Sequence, residues 1–273
     1  MKTIIITTDF SKSSIHAANY ACDLAEILKA DIVMLHVYRA PVVYSEIPTL
    51  IDYESFNRHA LESLNQTRME LLDTHGALNI ELEVKEGFFF DALNVLCEQV
   101  KPYLVVMGTQ GKSATEHFFL GEHTLYAMKH LQYPILAIPP NAKFSYYEKI
   151  GFATDFDHVI TTTPAKQIIE FVTHFNTELH IIHVGEKEKF DSNVVFGSGI
   201  IQELFYKLSP IYDLIDGEDT DESILDFVST NKIDLLIVVP KRHDIIDRII
   251  HKSNTKQLVA HAQVPILAIH EAF

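Results

Sequence analysis

Residues 2–10, KTIIITTDF, recur as EKIGFATDF at residues 148–156. Each copy is a short apolar run that ends in Thr-Asp-Phe, so that Asp9 corresponds to Asp155. A repeat of this kind indicates that two copies of one structural unit follow each other in a single chain.

Three further pairs of segments recur in the same order. They are ADIVMLHV (30–37) with TELHIIHV (177–184), PYLVVMG (102–108) with IDLLIVV (233–239), and YPILAIPP (133–140) with VPILAIHE (264–271). The copies are separated by 146 or 147 residues at first and by 131 residues later, so the second copy is shorter in its middle. The repeat predicts two domains, residues 1–143 and 144–273, joined by a linker at 141–147.

Both copies alternate short β-branched runs with longer segments of helical period. The runs are almost continuously apolar, as expected for strands buried on both faces of a sheet. Ser11 is predicted to cap the first helix, and Thr163-Pro164 is predicted to be the N-cap and first residue of its counterpart. The pattern predicts an α/β fold with two tandem, doubly wound, mainly parallel five-stranded sheets. The terminal strands, ILAIP and ILAIH, are expected to contact each other and so to avoid two exposed edges.

Composition limits the partners and the compartment. The formal net charge of −15 opposes a nucleic-acid or anionic membrane surface. No apolar run approaches the roughly 18 residues of a membrane span. We do not expect the first residues to be a signal peptide, because their apolar stretch is short and is interrupted by Asp9. Cys22 and Cys97 lie among apolar neighbours and suggest no disulfide. We therefore expect a cytoplasmic protein.

Residues 107–124, MGTQGKSATEHFFLGEHT, contain glycines at 108, 111 and 121. Together with the opening TTDFS and the strand end LHV, this glycine spacing resembles the universal stress protein family in its tandem two-domain form. The resemblance implies a Rossmann-like fold of the adenine-nucleotide alpha hydrolase type and a role in stress response. It also implies ATP or another adenine nucleotide as ligand, with Mg²⁺ as a potential bridging ion.

The resemblance carries residue roles with it. In members that bind ATP, the carboxylate after the first strand holds the ribose, the end of the second strand meets adenine, and the glycine loop surrounds the phosphates. Glycine suits such a loop because backbone N–H groups can then approach phosphate oxygens closely. The implied site consists of Asp9, Val37, Met107, Gly108, Gly111, Gly121, Glu122 and His123. No catalytic residue is indicated, and the resemblance implies at most slow ATP hydrolysis.

Glu122 departs from the family pattern, which usually has serine, threonine or asparagine after the third glycine. A carboxylate about 4 Å from a phosphate costs roughly 1 kcal/mol in water-like surroundings and roughly 4 kcal/mol at an intermediate dielectric. Lys112, His123, Thr124 or Mg²⁺ could compensate. Alternatively, Glu122 is a solvated residue at a helix start, where the helix dipole favours it. Glu122 thus puts phosphate binding in question, whereas a site for adenosine or a less charged ligand remains. The loop either binds nucleotide weakly or binds no cofactor.

The second copy has lost the glycines. Val239, Arg242 and Lys252 stand at the corresponding positions, and Pro240 removes an N–H donor. We therefore expect any nucleotide to bind in the first copy. Lys241, Arg242 and Lys252 are expected to form a solvated surface, the alternative being that their side chains attract an anion. Ser253 and Asp155 remain, but without the glycines they need not form a pocket.

Histidines raise two further questions. His243, Asp247 and His251 are spaced for one helical face, but no cysteine or compact histidine pair supports a metal site, and none is predicted. His36 and His183 occupy equivalent strand ends, which favours a shared structural hydrogen bond over catalysis.

Two other functions stay open beside nucleotide binding. The two copies form a pseudo-dimer within one chain, and the protein could act as a scaffold through unidentified protein partners or as a homodimer. A lipid-like ligand is the third reading, for which KEGFFFDAL at residues 85–93 is suited by its three phenylalanines.

Overall fold

The computed structural model describes residues 2–39, 53–109, 121–156, 159–185, 192–217, 219–240 and 262–270. The strands are β1 (Thr3–Thr7), β2 (Asp31–Tyr38), β3 (Ile80–Glu86), β4 (Leu104–Gly108), β5 (Ile135–Ile138), β6 (Lys149–Ala153), β7 (Glu178–Val184), β8 (Ile211–Ile215), β9 (Leu235–Val238) and β10 (Ile266–Ala268). The helices are α1 (Lys12–Leu28), α2 (Tyr53–His75), α3 (Phe89–Val100), α4 (Glu122–His130), α5 (Val159–Thr162), α6 (Ala165–Phe175), α7 (Ser192–Phe205) and α8 (Thr220–Thr230).

The described strands form one sheet in the order β3-β2-β1-β4-β5-β10-β9-β6-β7-β8. Pairing is parallel within each half of the sheet, and β5 and β10 pair antiparallel, with Leu136 opposite Leu267. The second half (β6–β10) therefore repeats the first half (β1–β5) about an approximate twofold axis between these two strands. The predicted fold class and the predicted contact of the terminal strands are confirmed, and the two expected sheets are continuous.

Both faces of the sheet are covered. One core packs alternate strand residues against α1, α2, α6 and α7, and the other packs the intervening residues against α3, α4 and α8. Ile4, Ile5 and Ile6 are consequently all inaccessible to solvent. This burial on both faces explains the continuous apolar character of the strand sequences.

The helix starts agree with the sequence in one half and differ in the other. The Ser11 side chain accepts a hydrogen bond from the Ser14 N–H at 3.2 Å, which confirms the predicted N-cap of α1. The prediction for Thr163 and Pro164 was wrong by one position, because Pro164 is the N-cap and α6 begins at Ala165. The cause is α5: the Thr163 N–H closes that short helix by donating to the Val159 carbonyl, which leaves Thr163 inside the preceding turn.

The connection between β5 and β6 is packed rather than extended into solvent. Ala142 and Tyr147 are buried, and the Phe144 ring meets the Tyr20 ring edge-on at 5.0 Å. Tyr147 also contacts Phe175 of α6, at 4.8 Å between ring centroids. The connecting segment thus contributes to the core that the two halves share.

Two predictions of absence concern cysteines and membranes. Cys22 and Cys97 are buried free thiols, and burial raises the pKa of each to about 12, so neither is a reactive thiolate near neutral pH. Among the described helices, none is long and apolar enough to cross a membrane.

Candidate functional site

Three predicted site residues lie at one edge of the sheet. Thr7 of β1 pairs with Leu35 of β2, so Asp9 follows β1 at the level of Val37. The β1–β4 register likewise places Gly108, the last residue of β4, at this edge. Asp9, Val37 and Gly108 are all half-buried there, at the carboxyl ends of adjacent parallel strands, where α/β sheets bind ligands.

A tight turn fixes the Asp9 carboxylate. Its Oδ1 accepts the Ser11 N–H at 3.0 Å, and Phe10 adopts a left-handed backbone with φ of 62°. The Phe10 N–H donates to the Thr8 hydroxyl at 3.0 Å, and the Phe10 ring packs 4.4 Å from the ring of His36. The chain therefore presents Asp9 at the strand edge from a turn held by backbone hydrogen bonds and ring packing.

His36 has a structural role that the second half repeats. Its Nδ1 lies 2.8 Å from the Thr8 carbonyl oxygen, which can only accept, so the ring donates. His183 makes the same bond to Thr154 at 2.9 Å, and its ring stacks on Phe156 at 4.4 Å. The predicted structural hydrogen bond is confirmed in both halves.

The glycines differ in what requires them. A Cβ on Gly108 would lie 2.7 Å from Ser13 Oγ and 2.8 Å from the Ser13 carbonyl oxygen, so the packing of α1 on β4 already demands a glycine. A Cβ on Gly121 would meet nothing closer than 3.5 Å, and its N–H donates to the Thr109 carbonyl at 2.5 Å. Gly111 lies outside the described residues. The role of Ser13 could not be predicted from the sequence, because its contact with Gly108 joins two elements that are far apart in the chain.

Helix α4 begins beside the strand edge. Gly121 is its N-cap without a side-chain cap, and Glu122 is its first residue and is exposed. The buried Thr124 hydroxyl donates to the Gly108 carbonyl oxygen at 2.8 Å, so its single proton is engaged. Thr124 therefore does not supply the compensating donor that the sequence suggested, and Lys112 lies outside the described part of the chain.

The other two predicted residues face different surroundings. Met107 is buried in the sheet and offers the site only its backbone. The His123 ring stacks on Phe89 at 4.8 Å with an interplanar angle of 11°, and meets Phe90 edge-on at 5.4 Å. Tyr126 extends the contact to Phe90 at 4.1 Å. His123 is thus engaged by aromatic neighbours on the outer surface of α3 and α4.

We call this set the aromatic surface, which consists of Phe88, Phe89, Phe90, His123 and Tyr126. Phe88 is 64% exposed and Tyr126 is 48% exposed. The Arg39 guanidinium carbon lies 4.4 Å above the Phe88 ring, a cation–π contact. Core and turn packing therefore does not account for all three phenylalanines of residues 85–93.

The equivalent edge of the second half is built differently. Val239 is buried where the first half has Gly108, and Asp155 is half-buried at the position of Asp9. Arg242, Lys252 and Ser253 lie outside the described residues, as do His243, Asp247 and His251. Within the described ranges, no group of three or more histidine, cysteine, aspartate or glutamate side chains is arranged to hold a metal ion.

Comparisons with known proteins agree with this architecture. The sequence model of the universal stress protein family matches residues 1–139. The universal stress protein MJ0531 of Methanocaldococcus jannaschii is 26% identical over 140 residues, which are 50% of this chain and 81% of that protein.

Two solved structures extend the likeness of fold to nearly the whole chain. A universal stress protein from Archaeoglobus fulgidus superposes with a TM-score of 0.68 at 16% identity, covering 99% of this chain and 96% of that one. A functionally unknown protein, PA1789, from Pseudomonas aeruginosa gives 0.60 at 11% identity, covering 98% and 92%. With the family model matching half of its length, the chain belongs to the universal stress protein family.

Proposed function

We propose that the protein is a stress-response binding module whose first domain binds an adenine nucleotide weakly, with the boundary between its domains at residues 143 and 144. The observation that carries the proposal is the meeting of Asp9, Val37 and Gly108 at one strand edge beside the start of α4. Asp9 would accept hydrogen bonds from ribose hydroxyls. The backbone at Val37 would meet the base.

The start of α4, where the phosphates would lie, gives the reason to expect weak binding. The start of α4 offers the partial positive charge that helix N-termini present to anions. Glu122, the first residue of this helix, opposes that charge, and the Thr124 hydroxyl already donates to Gly108. The nucleoside part of the ligand would therefore supply most of the affinity, and ATP would gain little over AMP.

The two strand edges supply a matched experiment. Calorimetric titration of the full chain with ATP should detect binding, and Asp9→Asn should weaken it by roughly ten- to a hundredfold, the usual effect of losing a hydrogen bond to a charged group. Asp155→Asn makes the same change at the equivalent position and should leave the affinity unaltered. Loss of binding in both variants, or in Asp155→Asn alone, would contradict the assignment to the first domain.

The aromatic surface favours a second function, a scaffold that acts through a protein partner. Exposed aromatic side chains are enriched at protein interfaces, and Phe88, the N-cap residue of α3, and Tyr126 of α4 are both exposed. Native mass spectrometry of the purified chain distinguishes nucleotide binding, a scaffold and a lipid-like ligand. Retained adenine nucleotide supports the first function and retained lipid supports a lipid-like ligand. A ligand-free chain that also fails to titrate with ATP supports the scaffold.

A further inference from the structure

A cavity of about 410 Å³ lies where the two halves of the sheet meet. Its described walls include Tyr103 and Tyr133, which precede β4 and β5, Gln167 and Phe171 of α6, and Ile269 after β10. It is thus at the amino ends of the first-half strands, the opposite edge from Asp9 and Gly108. Its volume falls within the roughly 300–1,000 Å³ of small-molecule sites.

The approximate twofold axis gives this cavity a counterpart. Gln167 corresponds to Tyr20, because each stands nine residues before the left-handed C-cap of its helix, α6 or α1. Tyr103 corresponds to Asp234, since PYLVVMG at 102–108 repeats as IDLLIVV at 233–239. The approximate twofold axis therefore relates the cavity between α6 and the start of β4 to the space between α1 and the start of β9.

In that counterpart the protein inserts an aromatic ring of its own. Tyr147, from the connecting segment, is 2% exposed, and its hydroxyl lies 2.9 Å from the Tyr20 hydroxyl. Phe144 packs beside the same tyrosine. Burial, Tyr20 and the charge of Asp234 all raise the pKa of the Tyr147 phenol, which keeps the group neutral. The space that the twofold axis relates to the cavity is therefore filled by the neutral ring of Tyr147, which carries a single hydroxyl group.

Two charged residues are among the described walls of the cavity: Lys101 is exposed to solvent, and Glu170 is paired. The Lys2 ammonium lies 3.5 Å from the Glu170 carboxylate and 3.9 Å from the centroid of the Tyr103 ring. Tyr103 and Phe171 offer aromatic surface, and the Gln167 amide can both donate and accept a hydrogen bond. We propose that this cavity is a second ligand site, which binds a small uncharged aryl compound carrying a hydroxyl or amide group. The proposal is independent of nucleotide binding at the other strand edge.

The probe for this site is N-acetyl-L-tyrosinamide, an uncharged equivalent of the Tyr147 side chain with its backbone. Saturation-transfer NMR on the full chain should show contact with the ring protons of the probe, and N-acetyl-L-alaninamide, which lacks the ring, should show none. Addition of ATP should not displace the probe. Displacement by ATP, or absence of saturation transfer from the wild-type chain, would overturn the proposal.

A pair of variants locates the probe. Gln167→Trp places an indole in the cavity and should weaken probe binding by about tenfold or more, because the volume is then occupied. Lys166→Trp puts the same side chain on an exposed neighbouring position of α6 and should bind the probe as the wild type does.

The same two variants report on their own folding. The chain contains no native tryptophan, so indole emission comes from the introduced residue alone. Emission from Gln167→Trp should be blue-shifted relative to Lys166→Trp, because its indole is enclosed. Equal probe affinity in a folded Gln167→Trp with blue-shifted emission would overturn the assignment of the ligand to this cavity.

Discussion

The hydroxyl groups of Tyr20 and Tyr147 lie 2.9 Å apart in the buried space between α1 and the segment that connects the two halves. This hydrogen bond joins the first half of the chain to the connection that leads into the second. A buried hydroxyl that loses its partner retains the cost of its desolvation. The pair therefore contributes to the packing of the two halves on each other.

Tyr147→Phe should lower the free energy of unfolding by about 1–3 kcal/mol, because it leaves the Tyr20 hydroxyl buried and unpaired. Tyr20→Phe should have a similar effect. The double variant should cost less than the sum of the two, since both polar groups are then gone. Urea denaturation of the four proteins gives this coupling, and Tyr146→Phe, at an exposed neighbour, is the control. Additive losses would mean that the two hydroxyls do not interact.

Gly108→Ala should destabilise the fold by about 1–3 kcal/mol, the usual cost of forcing a methyl group into a packed site. The reason is the 2.8 Å approach to the Ser13 carbonyl oxygen, a backbone atom that cannot rotate away. Gly121→Ala, in the same loop region, has 3.5 Å of clearance and should cost about 1 kcal/mol or less. Thermal unfolding of both variants measures the difference. Equal melting temperatures would show that α1 can shift to admit the methyl group.

His270 should make stability depend on pH. Burial lowers the pKa of its imidazole below 6.5, and neither of its ring nitrogens has a hydrogen-bond partner among the described residues. The unfolded chain then takes up this proton more readily than the folded chain. The contribution of neutral His270 to stability is complete above pH 6.5 and declines as the pH falls through 6.5 towards the folded-state pKa.

Denaturation at pH 7.5 and at pH 5.5 tests this expectation. His270→Gln should lose less stability between the two pH values than the wild type, because glutamine has no proton to gain. His174→Gln, which removes another histidine, is the control for the general titration of the protein. A wild-type loss equal to that of His270→Gln would exclude His270 as a source of the pH dependence.

The fold was predictable because its signals are local and repeated. The apolar runs at residues 3–7 and 149–153 are strands because their residues alternate between two buried faces. ILAI ends each copy, at 135–138 and 266–269, and would otherwise leave an exposed apolar edge, so the contact of the two terminal strands could be predicted.

What the sequence could not supply depends on contacts between distant elements. The need for glycine at position 108 comes from Ser13, and the role of the Thr124 hydroxyl comes from the Gly108 carbonyl. The burial of Tyr147 comes from rings on α1 and α6, whereas its own segment has no periodicity that would indicate a core position. Such roles are fixed only when the elements pack.

Glu122→Ser should raise the affinity for ATP if the start of α4 faces the phosphates. Glu122 is exposed, so the water-like value of roughly 1 kcal/mol at about 4 Å applies, and we expect a gain of about threefold to tenfold. AMP should gain less, because its single phosphate carries less charge and lies farther from Gly121. The gain should shrink as salt is added, since exposed charges are screened.

Asp91→Ser removes an exposed first-turn carboxylate from the neighbouring helix α3, and thus controls for net charge. Calorimetric titration of the three proteins with both nucleotides is the measurement. An equal gain in Asp91→Ser would assign the effect to overall charge, and an equal gain for AMP and ATP would indicate a rearranged loop rather than a relieved repulsion at the phosphates.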